Sequence, residues 1–492
     1  MPQEPTQTAS ETGLARLDRR IARDLDYLNY PPRNWVVPHD DGRGEQLVDV
    51  VIVGGGMCGL TLAFALRRVG VGSIRLIDSQ PHGEEGPWAT YARMTTLRSP
   101  KHLVGPALNL PSLTFRAWYE AQFGVDAWEA LGRIDRTMWM DYLRWYRRVL
   151  DLPVENGVTM TSLQPEGAAI RLDIERASGP DVLRARKVVL ATGRDGLGGP
   201  YTPAVAAGLP ADRCSHSADD IDFAALAGKR VAVLGGGASA CDNAGVALEM
   251  GAAEVRQFVR RDDLPRVNKS KGAVYAGYAL AFPQLDDAWR WRFLHYVLDE
   301  QVPPPRESML RLTRHANYHL QLGCPWRRAA ADGDGIAIDT PRGVFHADHA
   351  IIGTGFDVDI SRRSELSALA GQVLLWQDRV EIDDGDLSRQ FGRFPYLGPD
   401  FAFLPRDPDG PGWLANVHCF NYASTLSHGP VSGDIPLLGF GAERLARAVA
   451  ASFFDADKQA HFADLQAFDE PELLGDEWSV DDAAPPQRRQ RS

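Results

Sequence analysis

Residues 49–78 read DVVIVGGGMCGLTLAFALRRVGVGSIRLID. Val50 to Val53 is a short apolar run suited to a buried strand, and the LTLAFALRRVG that follows has the apolar spacing of a helix packed on a sheet. Between them stands Gly54-x-Gly56-x-x-Gly59. Gly54 makes the tight turn, Gly56 lets backbone approach a pyrophosphate, and Gly59 lets helix and strand touch. The free N–H groups and positive dipole end of the helix would hold that pyrophosphate. A second strand, SIRLID, closes on Asp78, whose carboxylate is placed about 20 residues beyond the glycines to accept from ribose hydroxyls. Met57 and Ser79, at the edges of the same unit, join the candidate cofactor contacts.

The same grammar returns at residues 229–261, KRVAVLGGGASACDNAGVALEMGAAEVRQFVRR, with Gly235-x-Gly237-x-x-Ala240. Here the second strand runs into Arg260 and Arg261, and a guanidinium at that position favours a 2′-phosphate. Two dinucleotide units about 180 residues apart therefore imply two cofactors, FAD on the first and NADPH on the second. Ser239 opens the second helix, and Asp242 one turn in is a candidate N-terminal charge. Two strand ends, Ala191-Thr192-Gly193 and Gly353-Thr354-Gly355 followed by Asp357, would bring backbone and the Thr192 hydroxyl to the first nucleotide.

Composition sets the outer limits. A chain of 492 residues, 44% hydrophobic, is long enough for two or three domains. A net charge of −12 argues against nucleic acid or an anionic membrane as partner. No apolar run approaches the ~20 residues that a membrane-spanning helix needs, and the N-terminus lacks a secretory pattern, so a cytoplasmic protein is expected. Cys58, Cys214, Cys241, Cys324 and Cys419 are odd in number and contain no C-x-x-C. That excludes a disulfide framework, the common zinc patterns and the redox dithiol of flavin enzymes that reduce disulfides. His315 and His319 lack a third ligand of familiar pattern, so no metal is expected.

The expected architecture is α/β, with two Rossmann-like dinucleotide-binding domains and the NADPH domain inserted into the FAD domain. Residues 1–47 form an arm with a helix over Leu14 to Leu28, broken by Pro31-Pro32. Residues 48–207 are the first part of the FAD domain. Residues 208–335 are the NADPH domain with a helical insertion at 268–330, residues 336–475 complete the FAD domain, and 476–492 form a disordered tail. Trp118, Trp128, Trp139 and Trp145 lie at helical spacing and are assigned to the core. The irregular stretch after Asp78 offers Trp88, Tyr91, Arg93 and Arg98, a flat surface with cations suited to a flavin ring or an anionic substrate.

GGGMCG, ATG, the His216-Ser217 pair, GGGASACD, GTGFDVD and the closing NVHCFNYASTLSHGPVSGDIPLLGFGAERLA together resemble the class B flavin-dependent monooxygenases, over residues 48 to 450 or so. The family's F-x-G-x-x-x-H stands here as Pro210-x-Asp212-x-x-x-His216, and Arg98 precedes Ser99-Pro100-Lys101 where many members carry Asn. The resemblance implies hydride transfer from NADPH to FAD, then reaction of the reduced flavin with O2 to a C4a-(hydro)peroxide that transfers one oxygen atom to a small-molecule substrate. Arg98, Lys101, His216, Asn421 and Ser424 are the candidate polar groups near the ring. Amines, ketones, soft nucleophiles and electron-rich heterocycles, purine-like rings among them, are all compatible substrates. A flavin reductase or dehydrogenase with another acceptor, and a redox sensor, are the competing readings; oligomeric state is open.

Overall fold

The computed structural model describes residues 12–383 and 385–478. The tail expected to be disordered, 476–492, lies outside the described residues from 479 onward. Helix α1 (Gly13–Tyr27) is capped by Thr12, whose hydroxyl accepts from the Ala15 N–H at 3.2 Å, and buries Leu17, Ile21 and Leu25 on the main body. Strand β1 (Val48–Val53) passes through the glycine turn into α2 (Met57–Arg68) and β2 (Ile74–Asp78). Three helices follow, α3 (Phe115–Phe123), α4 (Val125–Ala130) and α5 (Arg136–Val149). Their tryptophans are core, as the spacing predicts: Trp118, Trp128, Trp139 and Trp145 are all buried, packed around Phe115 and Tyr142. The Trp145 indole N–H donates to Asp18 at 2.8 Å and so ties α1 to this layer.

Strands β3 (Val154–Asn156), β4 (Thr159–Glu166), β5 (Ala169–Arg176) and β6 (Gly179–Leu190) complete the first sheet, in the order β3-β2-β1-β6-β5-β4. The long β6 changes role along its length. Its first half pairs antiparallel with β5, whereas its last residues, Val188 to Leu190, pair parallel with β1 and are fully buried. That matches its sequence, which alternates early and becomes a continuous apolar run at the end.

The chain leaves through β7 (Gly198–Pro200) and builds a second sheet from β8 (Cys214–His216), β9 (Arg230–Leu234) and, after α6 (Ala238–Glu249), β10 (Glu254–Phe258). Helices α7 (Ala276–Ala281), α8 (Asp287–Asp299) and α9 (Arg306–Thr313) form the insertion. It ends earlier than the sequence suggests, because β11 (Tyr318–Gln321) pairs parallel with β10 and is a strand of the sheet. An antiparallel meander of β12 (Arg328–Asp332), β13 (Gly335–Thr340) and β14 (Gly343–Ala347) leads to β15 (His349–Ile352). The expected return to the first domain at residue 336 is corrected here: β15 pairs with β9 and β8, giving the order β11-β10-β9-β15-β8.

The return comes at β16 (Phe356–Val358), which pairs antiparallel with β7. The outgoing and incoming crossings are thus one two-stranded ribbon. A Cβ at Gly198 would lie 1.9 Å from the Asp357 carbonyl oxygen, so the ribbon needs glycine there. Helix α10 (Asp386–Gly392), strand β17 (Val417–Cys419), helix α11 (Thr425–His428) and helix α12 (Leu438–Ala456) complete the first unit, with β17 parallel to β6 and α12 against α2. No helix among the described residues is long and apolar enough to cross a membrane.

One buried acid makes a pH-dependent prediction. Asp49 is 4% exposed, and its nearest cation, Arg186, stands 4.0 Å away while donating to Asp457 at 2.7 Å. Burial outweighs that distant cation and raises the Asp49 carboxyl to about 6. A carboxyl raised above its unfolded value of 3.8 costs stability that grows with pH between the two values and is complete above the higher one. Asp49→Asn should therefore raise the thermal midpoint near neutral pH and give no gain below about pH 4. Thermal scans of both proteins at the two pH values check this.

Candidate active site

The first glycine loop has the geometry of a phosphate cradle. Gly54 has φ +110°, and a Cβ there would lie 2.4 Å from the Ala191 carbonyl oxygen, where β6 ends. Gly56 caps α2 with no side-chain bond, so the first amides of the helix face outward unsatisfied. Asp78 is buried; its two oxygens accept from the Gly55 N–H at 2.7 Å and the Gln80 N–H at 2.8 Å, which aims the carboxylate across the loop. Gly86 lies 3.7 Å from where a Gly56 Cβ would stand, and a narrow cavity lined by Gly55, Gly56, His82, Gly83 and Glu85 runs beside it. Met57 is buried at the first turn and Ser79 is exposed beside Asp78. These features fit the diphosphate and ribose of a flavin dinucleotide.

The second loop repeats the design with one exchange. Gly235 has φ +133°, and a Cβ there would stand 2.5 Å from the Gly353 carbonyl oxygen. Ala240 occupies the third small position, and its Cβ would lie 2.6 Å from a Cβ on Gly353. The space saved at the third glycine of the first loop is here saved on the facing strand. Gly237 and Ser239 are exposed, and Gly237 caps α6 with no side-chain bond. Of the two arginines, Arg261 is committed, donating to the Asp299 carbonyl oxygen at 2.8 Å. Arg260 is exposed, with Asp386 no nearer than 4.0 Å. These groups fit a pyridine nucleotide with Arg260 at the 2′-position.

Between the loops, the segment after β2 meets the second unit. Arg98 donates to the Asp242 carboxylate at 3.3 Å, while the Ser308 hydroxyl donates to the other Asp242 oxygen at 2.7 Å. Asp242 is thus a buried partner of Arg98 and not the N-terminal helix charge that its position suggested. The Arg98 Nε is buried and has no hydrogen-bond partner among the described residues. Lys101 points elsewhere: its ammonium donates to the carbonyl oxygens of Trp128 and Glu129, so it holds α4 and is removed from the ring site. The Trp88 carbonyl oxygen accepts from Arg136, and its ring is half-buried against the core.

Asn421 is a buried clasp. Its amide donates to the Thr192 hydroxyl at 3.1 Å and the Leu190 carbonyl oxygen at 3.3 Å, and its oxygen accepts from the Ala423 N–H. It fixes the ends of β6 and β17 relative to each other; Ser424 supports it through the Asn421 carbonyl oxygen. His216 is buried at the end of β8, with its ring 5.8 Å from Phe356 and its Nδ1 accepting from the Ala218 N–H. Burial lowers its pKa below the usual value, so it is neutral near pH 7. Phe356 in turn faces Tyr91 at 6.3 Å, whose hydroxyl burial pushes up to about 12. Asp357 is buried, accepts from Arg393 at 3.1 Å and has one oxygen with no hydrogen-bond partner among the described residues. Gly193 and Gly355 both have positive φ, +80° and +85°, at the two turns that flank this crevice.

Sequence reasoning overlooked Arg194 and Tyr422, which meet at the crevice edge with the guanidinium 4.6 Å from the ring centroid. Their position directly after the ATG and Asn421 motifs was the available signal. A wider cavity of about 960 Å³ beside α5 contains Arg144, Arg147 and Arg148, each ion-paired, and shares His82, Arg144 and Arg147 with the narrow cavity at the first glycine loop. Among the described residues no group of three His, Cys, Asp or Glu is placed to hold a metal ion.

Two glycine cradles, each at the carboxyl ends of parallel strands in its own sheet, with the Arg98–Asp242 pair joining the two units, define a two-nucleotide flavoprotein oxidoreductase. A family model described as pyridine nucleotide-disulphide oxidoreductase matches residues 51–274. The five cysteines are all free, four of them buried, so the match concerns the nucleotide framework and not a dithiol. A FAD-dependent urate hydroxylase of Xanthomonas campestris pv. campestris is 42% identical over 463 residues, covering 94% of this chain and 98% of that protein. The ornithine hydroxylase of Pseudomonas aeruginosa in its reduced form has a similar fold, at TM-score 0.65 and 18% identity, over 82% of this chain and 99% of that one. So does an ornithine N-hydroxylase of Kutzneria sp. 744 with reduced FAD, NADP+ and L-ornithine, at TM-score 0.65 and 16% identity, over 82% and 99%. The chain belongs to the family of the Xanthomonas FAD-dependent hydroxylase and has the fold of the flavin-dependent ornithine hydroxylases.

Proposed function

We propose that this protein is a cytoplasmic, FAD-dependent monooxygenase that uses NADPH and O2 to hydroxylate urate. The observation that carries the substrate is the 42% identity to a urate hydroxylase over nearly the whole of both chains. The cysteines, all free, agree with a reducing compartment.

Bound FAD would take hydride from the nicotinamide and, once reduced, activate dioxygen. The chain's own contribution is to hold and to exclude. Gly54, Gly56, Gly59 and Asp78 would hold the flavin dinucleotide, and Gly235, Gly237 and Ser239 the pyridine nucleotide. The Asp242 carboxylate pins Arg98 between the units, so a cation is kept at the crevice without a search among rotamers. Neutral His216, Phe356 and Tyr91 form an apolar wall with polar tips, which keeps water from the reacting atoms.

Urate-dependent consumption of NADPH and O2 in equal amounts, with one labelled oxygen atom from dioxygen in the purine product, is the expected result. NADPH oxidation that ignores urate in air yet proceeds rapidly with an artificial quinone would replace this reading with a reductase. For the nucleotide, Arg260→Ala should raise the KM for NADPH by about tenfold and leave that for NADH unchanged, since it removes a 2′-phosphate partner only. Equal KM shifts for both nucleotides would remove Arg260 from that role.

A further inference from the structure

Several arginines of the two units are neutralised by a carboxylate. Arg98 has Asp242, Arg311 has Glu249, Arg393 has Asp357 and Arg290 has Asp287. Arg194 differs. It follows Gly193 at the turn beyond β6, is exposed, and forms no ion pair or hydrogen bond with any described residue. Its guanidinium lies over the Tyr422 ring at 4.6 Å, and that ring is held from behind. The Tyr422 N–H donates to the Gly193 carbonyl oxygen at 3.3 Å, and Phe394 packs against the ring edge-on at 5.6 Å. Arg194 stands three residues beyond Ala191, whose carbonyl oxygen abuts the first glycine turn, and so lies at the carboxyl end of the first sheet.

A stacked guanidinium loses little rotamer freedom when it engages a ligand, and its planar fork matches a planar anion through two parallel N–H bonds. A cation with no ion pair among the described residues is a local exception in a protein of net charge −12. We infer that Arg194, lying over the Tyr422 ring, recognises the anionic edge of a planar oxopurine substrate.

This inference rests on the urate reading above, since urate is such an anion near neutral pH. It adds the residue that selects for charge and planarity. Equilibrium dialysis of urate against the FAD-loaded wild-type, Arg194→Gln and Arg194→Lys proteins tests it. Flavin content and thermal midpoint serve as fold controls. The expected result is about a 30-fold loss of urate affinity in Arg194→Gln, roughly 2 kcal/mol at 1.4 kcal/mol per tenfold, and a smaller loss of about fivefold in Arg194→Lys, which keeps the charge but not the fork. Affinity within twofold of wild type in a folded Arg194→Gln protein overturns the role of Arg194 and leaves the urate reading intact. Absence of urate binding in the wild type overturns the urate reading and this inference with it.

Discussion

Gly59→Ala is expected to yield a chain that retains less than a tenth of its flavin and loses activity in proportion. A Cβ at position 59 would stand 1.9 Å from the Gly54 carbonyl oxygen and 3.2 Å from a Leu76 methyl carbon. The first of these is backbone of the glycine turn itself, so no side-chain rotation relieves the overlap. Either α2 moves away from β1 or the turn opens, and both displace the amides that would hold the diphosphate. Flavin absorbance per polypeptide after purification, together with the thermal midpoint with and without added FAD, measures the effect. Full flavin occupancy in the variant would mean that α2 tilts without disturbing the cradle, and the close approach would lose its assigned purpose.

Arg290→Ala should destabilise the union of the insertion with the first unit by about 3 kcal/mol, the lower end of the range for breaking a buried ion pair. Arg290 lies on α8 and is 8% exposed. It pairs with Asp287, donates to the Tyr396 hydroxyl at 3.0 Å and the Ser427 carbonyl oxygen at 3.2 Å, and covers the Trp376 ring at 5.0 Å. Asp287 would keep Arg379 at 3.5 Å and the Tyr396 hydroxyl at 2.9 Å, which is why the lower end applies. Limited proteolysis should cut the variant faster within the insertion, and its unfolding transition should shift to lower denaturant. A double variant, Arg290→Met with Asp287→Leu, should recover a large part of the loss, because no buried charge is then left unpaired and the half-exposed Arg379, which loses its partner, is solvated. Equal sensitivity of the single and double variants would assign the loss to packing on Trp376 and not to charge.

What could be read from the sequence was local. Strand, glycine turn, helix and acid lie within thirty residues, and Gly59 is required by a contact to Gly54 in the same unit. The burial of the tryptophans was legible for the same reason, since large aromatics in amphipathic helices pack inward, though they fall on three helices, α3, α4 and α5. Pairing between distant strands was not. Nothing in HAII or YHLQ tells that the first pairs with β9 and the second with β10, because parallel partners share no turn. The boundary at residue 336 and the end of the insertion were misplaced on that account. Within the site, the same limit hid the pairing of Arg98 with Asp242, the diversion of Lys101 to Trp128, and the space that Gly353 leaves for Ala240. Each is a contact between segments far apart in the chain.

The ribbon of β7 and β16 has a consequence for how such a molecule is assembled. The Tyr201 N–H donates to the Gly355 carbonyl oxygen at 2.9 Å, so the segment that forms the second sheet begins and ends at adjacent points. To the first unit, the whole intervening segment is an enlarged loop between two neighbouring strands. It is a removable cassette whose excision leaves a gap of about 5 Å, one inter-strand spacing, which a short turn would close. The reductant-binding half could therefore be exchanged for that of a relative by two cuts in this ribbon, with no new path for the chain.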